Sequence, residues 1–536
     1  MSVSFVAILV IACGMALLAK RLKVPYTVLL VVAGLAVSLL LDGAPGLREH
    51  LEKIKLQPDL LLQLFLPILL FEAAFHVDLM SFLNNRRAIL LLAIPGVIIG
   101  MVLTTAVFVP VANLIRGDMA WQIGLVIAAM LAATDPISVV ALFKEFTVAK
   151  RLGIIIEGES LINDGVAVVL FGLVVKITAD SLGLTLPILQ GHTEEVQALQ
   201  VLGDFLREIF LGTAVGVAVG LAISYLTSKV NDHLIEVALT AIAAYGSNIA
   251  AIQLHASGVI AVVVCGMMIG NVGARHGMSP TTREAVFSFW EFAAFMANSF
   301  VFILIGLEIK LAGLWADAGL IAAFFVIMTL VRGITVFGMH KLVRREDLRL
   351  KKTWLPVITW SGVRGSLSMV LAMMLVATSD SGEATRELIL NLVFGVVLLS
   401  ILLQGTTIEW LMKRGGLIGE TREEETEYHL ALARRQAIRC LVDDLESAEG
   451  KGILSHRTFE ILHGPLLDRR DANDKRIAEM LEHTSSLNNI ELELHSTHLR
   501  ALEKQVYRDL EKEGDIDYEL MESLVRDVVE RDRPGS

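Results

Sequence analysis

The chain has 536 residues, 54% of them hydrophobic and 19% charged, with a mean hydropathy of +0.63. That apolar content exceeds what a soluble core of this length can bury, which excludes a water-soluble globular protein. The net charge of −11 sits in the C-terminal part: from Leu417 on there are 28 Asp and Glu against 17 Lys and Arg, leaving 29 of each sign before it. No basic tract points to a nucleic-acid partner.

Apolar runs long enough for a ~30 Å hydrocarbon slab fall near residues 3–19, 24–41, 58–77, 87–109, 120–143, 153–177, 202–226, 235–252, 257–271, 284–309, 315–340, 353–378 and 387–411. They predict an all-α polytopic membrane protein with about 13 transmembrane helices over residues 1–415. The first run lacks a charged leading segment and is followed by Lys20-Arg21-Leu22-Lys23, the reverse of a secretory signal, so it is read as a retained span. With the N-terminus outside, the cytosolic loops hold 17 Lys and Arg and the external loops 6. This asymmetry predicts an external N-terminus and a cytoplasmic C-terminus in a cell (plasma or inner) membrane.

An ionisable group inside a span is costly, so it is paired, faces water or is functional. In the third span, Glu72 lies one turn after Pro67. It is either a cation ligand or a packed, protonated carboxyl, and the expense of the position favours the first. The fifth span ends in Ala132-Ala133-Thr134-Asp135-Pro136. Proline removes a backbone donor and clashes with the preceding turn, so the helix should break there, and broken backbone at membrane depth must line protein or a watery cavity. Asp135 beside the break can touch a cation or cap the second half-helix; both roles place it at the site.

The sixth span opens Glu157-Gly158-Glu159-Ser160-Leu161-Ile162-Asn163-Asp164. At roughly 100° per residue, Glu159, Ser160, Asn163 and Asp164 share an arc of about 140°. Oxygen-rich clustering of this kind suits a hard cation such as Na⁺. Ser160 has no histidine in its segment, so no nucleophilic triad forms and no enzyme is expected. The connection from Ala179 to Val201 has no Lys or Arg and is expected to carry a short surface helix.

Arg332 is a buried cation of the eleventh span. In the twelfth, Ser361-Gly362-Val363-Arg364-Gly365 forms a second candidate break. Arg364 cannot shed its proton and needs an anionic mate, for which Glu159 and Asp164 are the candidates. Spans five and twelve lie seven apart, which reverses their orientation in the bilayer. Inverted six-helix repeats with two interrupted helices crossing near the midplane give that relation. Residues 416–536 change composition abruptly and read as a soluble cytosolic helical domain for regulation or interaction. The domain holds six of the thirteen histidines, His495 and His498 among them, read either as solvated surface groups or as a pH sensor. Cys13, Cys265 and Cys440 have neither metal nor disulfide spacing.

Ala133-Thr134-Asp135-Pro136, Gly158-Glu159-Ser160-Leu161-Ile162-Asn163-Asp164 and Gly362-Val363-Arg364-Gly365 resemble the sodium/proton antiporters of the NhaP and NHE type, in the first cation–proton antiporter family. Phe289–Phe292, Asn298–Leu307 and Ser257–Ala261 match more softly, and the whole covers about residues 5–412. The resemblance implies a homodimer whose six-helix core moves like an elevator, with no cofactor beyond the transported Na⁺ and H⁺. It implies that Asp164 is alternately protonated and cation-bound, with Glu72, Ser160 and Thr134 as further Na⁺ oxygens. Asp135 and Asn163 would shape the crossing, and Glu159–Arg364 would be a structural ion pair. An Asn before the key Asp implies electroneutral exchange. A K⁺/H⁺ antiporter gated through the tail by pH or a cytosolic ligand, and an ion channel, are the rival readings.

Overall fold

A computed structural model describes residues 2–22, 26–42, 61–136, 139–140, 142–143, 148–186, 198–230, 232–274, 277–308, 311–342, 350–417 and 420–483, with scattered positions between 499 and 524. The chain separates into two compact units, Met1–Leu417 and Ile418–Ser536. His495, His498 and the stretch 187–197 lie outside the described residues.

The first unit is helical, in chain order α1 (Ser2–Leu22), α2 (Tyr26–Asp42), α3 (Leu66–His76), α4 (Leu79–Ala93), α5 (Pro95–Arg116), α6 (Trp121–Met130), α7 (Lys150–Leu182), α8 (Ala198–Thr227), α9 (His233–Gln253), α10 (Gly258–Met268), α11 (Pro280–Glu308), α12 (Leu311–Ala316), α13 (Ala318–Leu342), α14 (Leu355–Trp360), α15 (Ser366–Met373), α16 (Asp380–Leu399) and α17 (Gly405–Arg414). Among the described residues seven helical stretches are long and apolar enough to cross a membrane, and five shorter apolar helices accompany them. Their side chains are mostly apolar because lipid or another helix meets most of each surface.

Two bundles share this unit. In the first, α8 packs on α10, α10 on α3 and α9, and α11 on α2 and α3; in the second, α7 packs on α4 and α6, α13 on α5 and α16, and α15 on α16. The bundles meet where α7 runs past α10 and α11 past α15. The second bundle is clamped at the junction of α5, α13 and α16: Asp317 accepts from Arg116 Nη1 (2.5 Å) and from Asn391 Nδ2 (3.1 Å). Most of the connection from Ala179 to Val201, where a surface helix is expected, lies outside the described residues. In its described part, α7 continues to Leu182, and Leu184–Thr185 (β1) pairs antiparallel with Val376–Ala377 (β2).

In the first bundle α2 and α11 cross with their backbones touching. A Cβ added at Gly34 would lie 2.9 Å from Gly306 Cα, and one added at Gly306 2.8 Å from Gly34 Cα. Small residues permit such approaches, and apolar solvent then favours close packing over hydrophobic driving force. Gly34→Val should therefore destabilise this unit by about 1–3 kcal/mol, the usual cost of overpacking. Thermal melting in detergent checks this, and an unchanged transition would mean that the helices can separate without cost.

The second unit contains an antiparallel pair, α18 (Glu420–Gly450) and α19 (His456–His483), closed around Tyr428, Ala431 and Ile477. At its tip His456 Nδ1 lies 2.6 Å from Glu449 Oε1. The hydrogen bond to that carboxylate holds the imidazole pKa above its ordinary value. The contribution of this exposed pair is thus present at low pH and fades as pH rises through the raised value.

Candidate functional site

Both predicted breaks are present, and they cross. Helix α6 stops at Met130, and residues 131–136 run non-helically up to Pro136. Proline disfavours the helical region for the residue before it, which keeps Asp135 out of a helix. Helix α14 stops at Trp360 and the chain restarts as α15 at Ser366, with Gly362 and Gly365 in the gap. The two unwound stretches pair through Asp135 N–H and Val363 O, at 2.7 Å.

Backbone groups released from a helix within a membrane must find partners, and here side chains supply them. Arg364 Nη1 donates to Ala132 O (2.7 Å) and Ala133 O (3.1 Å), and the arginine is 5% exposed. Its positive charge thus stands at the carbonyl end of α6, where the helix dipole is negative. The mirror arrangement occurs at α15. A Cβ on Gly365 would fall 2.5 Å from Asp135 Oδ2, so the carboxylate lies against the amino end of that helix. Asp135 thus stands where the dipole of that half-helix favours negative charge. Gly365→Ala forces these groups apart. Displacements of about 1 Å at a reacting centre can cost about 10²-fold, so exchange in vesicles should fall by at least about tenfold while the protein stays folded. Wild-type rates would show that the crossing can relax.

Helix α7 supplies the third wall. Ser160 Oγ donates to Thr134 O (2.5 Å), and Asn163 Nδ2 donates to Ala132 O (2.9 Å) and Thr134 Oγ1 (3.1 Å). The Thr134 backbone also faces the Asp164 carboxylate, whose charged neighbours are Asp135, Glu159 and Arg364. Asp164 Oδ1 and Asn163 Oδ1 are both enclosed without a hydrogen-bond partner. The predicted Asp164, Asn163, Ser160, Thr134 and Asp135 thus come together around the crossing. Two acceptor oxygens with no donor, beside a carbonyl and a hydroxyl, can take a hard cation; one of them can take a proton.

One expectation differs from the structure. Glu159, 3% exposed, pairs with Arg332 and not with Arg364: Nη1 meets Oε1 at 3.1 Å and Nη2 meets Oε2 at 3.0 Å. Arg332 Nη2 also donates to Ile358 O, at 3.2 Å. The reason is division of labour between two buried cations. Arg364, inside the break, turns its Nη1 to the carbonyls of Ala132 and Ala133. Arg332, on intact α13, meets α7 with the flat fork that a carboxylate matches. Glu72, the other predicted cation oxygen, sits on α3. It is 27% exposed, and its Oε1 is 3.4 Å from Nδ1 of His76, one turn on along α3.

Sequence reading passed over Ser400 and Gln404. Arg364 N–H donates to Ser400 Oγ (2.9 Å), which donates to Gln404 Oε1 (2.5 Å), and both side chains are buried. They occupy a widened helical turn, Ser400–Gln404, of a kind common at functional sites. Two polar residues four apart inside an otherwise apolar span were the signal. A cavity of about 50 Å³ beside the crossing is bordered by Glu159, Arg332 and Arg364.

The transmembrane family of sodium/hydrogen exchangers matches residues 6–414. Similar proteins include the Na⁺/H⁺ antiporter ApNhaP of Aphanothece halophytica, 37% identical over 83% of this chain and 80% of its own length. The low-affinity Na⁺/H⁺ antiporter NhaS1 of Synechocystis is 33% identical over 97% of this chain and 95% of its own. The structure is similar to that of the sodium proton antiporter MjNhaP1 of Methanocaldococcus jannaschii at pH 8, with a TM-score of 0.60 at 18% identity, over 76% of this chain and 96% of that one.

Proposed function

The chain belongs to the sodium/hydrogen exchanger family, and from that premise we propose that it exchanges Na⁺, with Li⁺ or K⁺ as possible substitutes, for H⁺ at Asp164, one for one. The observation that carries this reading is the enclosed, unpartnered Oδ1 of Asp164 beside that of Asn163. Asp164 takes either a proton or a partly dehydrated Na⁺, and Ser160 Oγ and Thr134 O complete the ion's oxygen shell. A cation entering between those two oxygens replaces the hydrogen bond that joins them. Competition for one carboxylate couples the two fluxes.

Charge balance supports electroneutrality. Asp164 has Asp135, Glu159 and Arg364 for charged neighbours, and Arg364 has Arg332, Glu159 and Asp164, so this largely enclosed cluster counts three carboxylates against two guanidinium groups. One monovalent guest, H⁺ or Na⁺, neutralises the cluster in either state, so both loaded forms carry the same charge through a medium that penalises any excess. An Asp in place of Asn163 would add a fourth negative charge and demand a second proton.

The carrier is read as thirteen spans in two inverted repeats, with the bundle of α4–α7 and α13–α17 moving as an elevator against the other, in a homodimer. The N-terminus is external, and the cytosolic tail from residue 416 regulates exchange or binds partners. Glu72, close to His76, belongs to the cation's approach. The test is dissipation of a pH gradient in proteoliposomes by NaCl, LiCl and KCl in turn, with and without a potassium/valinomycin clamp. Dissipation by NaCl at a rate the clamp leaves unchanged is expected. Proton movement that no salt elicits would overturn the exchange reading, and net current would overturn electroneutrality.

A further inference from the structure

The exchange mechanism leaves one fully enclosed carboxylate unused. Glu236 lies in the first turn of α9 with 0% exposure, and among the described residues neither of its oxygens has a hydrogen-bond partner. An ionised carboxylate shut away from water without a partner is strongly disfavoured, so it must either hold a proton or be accompanied by a cation. Its acidic neighbour Asp232 is already engaged, capping α9 through the N–H groups of Leu234 (2.8 Å) and Ile235 (3.3 Å).

The polar group that faces Glu236 from the adjoining helix is the buried Thr282 hydroxyl, in the first turn of α11. Thr282 N–H donates to Ser279 Oγ (3.2 Å), and Ser279 O–H donates to Thr282 Oγ1 (3.0 Å). Thr282 Oγ1 thus accepts from Ser279 and keeps its own hydroxyl hydrogen and a second lone pair for other partners. The amino ends of α9 and α11 both meet here, and their dipoles favour negative charge while giving neither oxygen a hydrogen bond.

We propose that Glu236 is a second binding site for a monovalent cation, entered from the cytosolic side of the first bundle, with the Thr282 hydroxyl as a further oxygen ligand. A carboxylate and a hydroxyl are hard donors, and one negative charge is balanced by one monovalent ion, whereas a divalent ion would leave excess positive charge buried. The site is coupled to the packing of α3. Thr240, one turn from Glu236 on α9, accepts from Trp290 Nε1 at 2.9 Å, and buried Trp290 lies against Phe71 with ring centroids 4.4 Å apart. Occupancy at Glu236 therefore alters the surroundings of Trp290.

The test uses the full chain with Asp164→Asn, so that the exchange carboxylate is silent. Radioactive Na⁺ binding and tryptophan emission are followed against NaCl, with choline chloride holding ionic strength constant. The expected result is one Na⁺ per chain and a saturable emission change, with the emission change lost on adding Trp290→Phe and both signals lost on adding Glu236→Gln. No Na⁺ binding in the Asp164→Asn protein, binding that survives Glu236→Gln, or emission that follows pH but no cation would overturn the proposal. Should Glu236→Gln fail to fold, Thr282→Val carries the test: a higher midpoint supports the site and an unchanged one overturns it. Exchange at Asp164 is measured separately in the wild-type background, so failure of this site leaves that reading intact.

Discussion

Asp164→Asn should reduce Na⁺-driven proton movement to the level of protein-free liposomes while yield, melting temperature and oligomeric state stay at wild-type values. The substitution keeps the shape of the side chain and removes the one function the mechanism asks of it, that of a charge two guests compete for. The supporting contacts, Ser160 to Thr134 O and Asn163 to Ala132 O, do not pass through the Asp164 side chain. The fold therefore has no reason to suffer. Preserved exchange would move the site away from Asp164 altogether.

Glu159→Gln should instead register as lost stability. It leaves Arg332, partnered through both Nη atoms in the native protein, as an uncompensated buried charge, and breaking such a pair costs about 3–5 kcal/mol. Replacing both residues, Glu159→Leu with Arg332→Met, should recover much of the loss, because a buried pair exchanged for apolar side chains of similar volume is often neutral. A double-mutant cycle should find strong coupling between positions 159 and 332 and little between 159 and 364. Strong coupling to Arg364 would contradict the pairing described above and restore the one expected from sequence.

That pairing marks where sequence reasoning runs out. The two breaks were legible because Pro136, Gly362 and Gly365 act through backbone geometry, which is local. The convergence of Ser160, Asn163 and Asp164 was legible because helical periodicity fixes direction around an axis. Which of two arginines meets Glu159 depends on how α13 and α14 sit against α7, and no local signal encodes that. Ser400 and Gln404 went unseen because neutral polar residues in an apolar run give a weak signal, although their partner is a backbone N–H that the break itself exposes. Glu236 opens a span, and no local signal in the sequence encodes its enclosure.

Proton release on adding Na⁺ to purified protein in lightly buffered detergent solution tests the shared-carboxylate idea with no membrane or gradient involved. Near the pH at which Asp164 is half protonated, each Na⁺ bound there should liberate close to half a proton, rising toward one at lower pH, and the Asp164→Asn protein should release none from that site. Na⁺ that binds at Asp164 without expelling a proton at any pH would contradict the account.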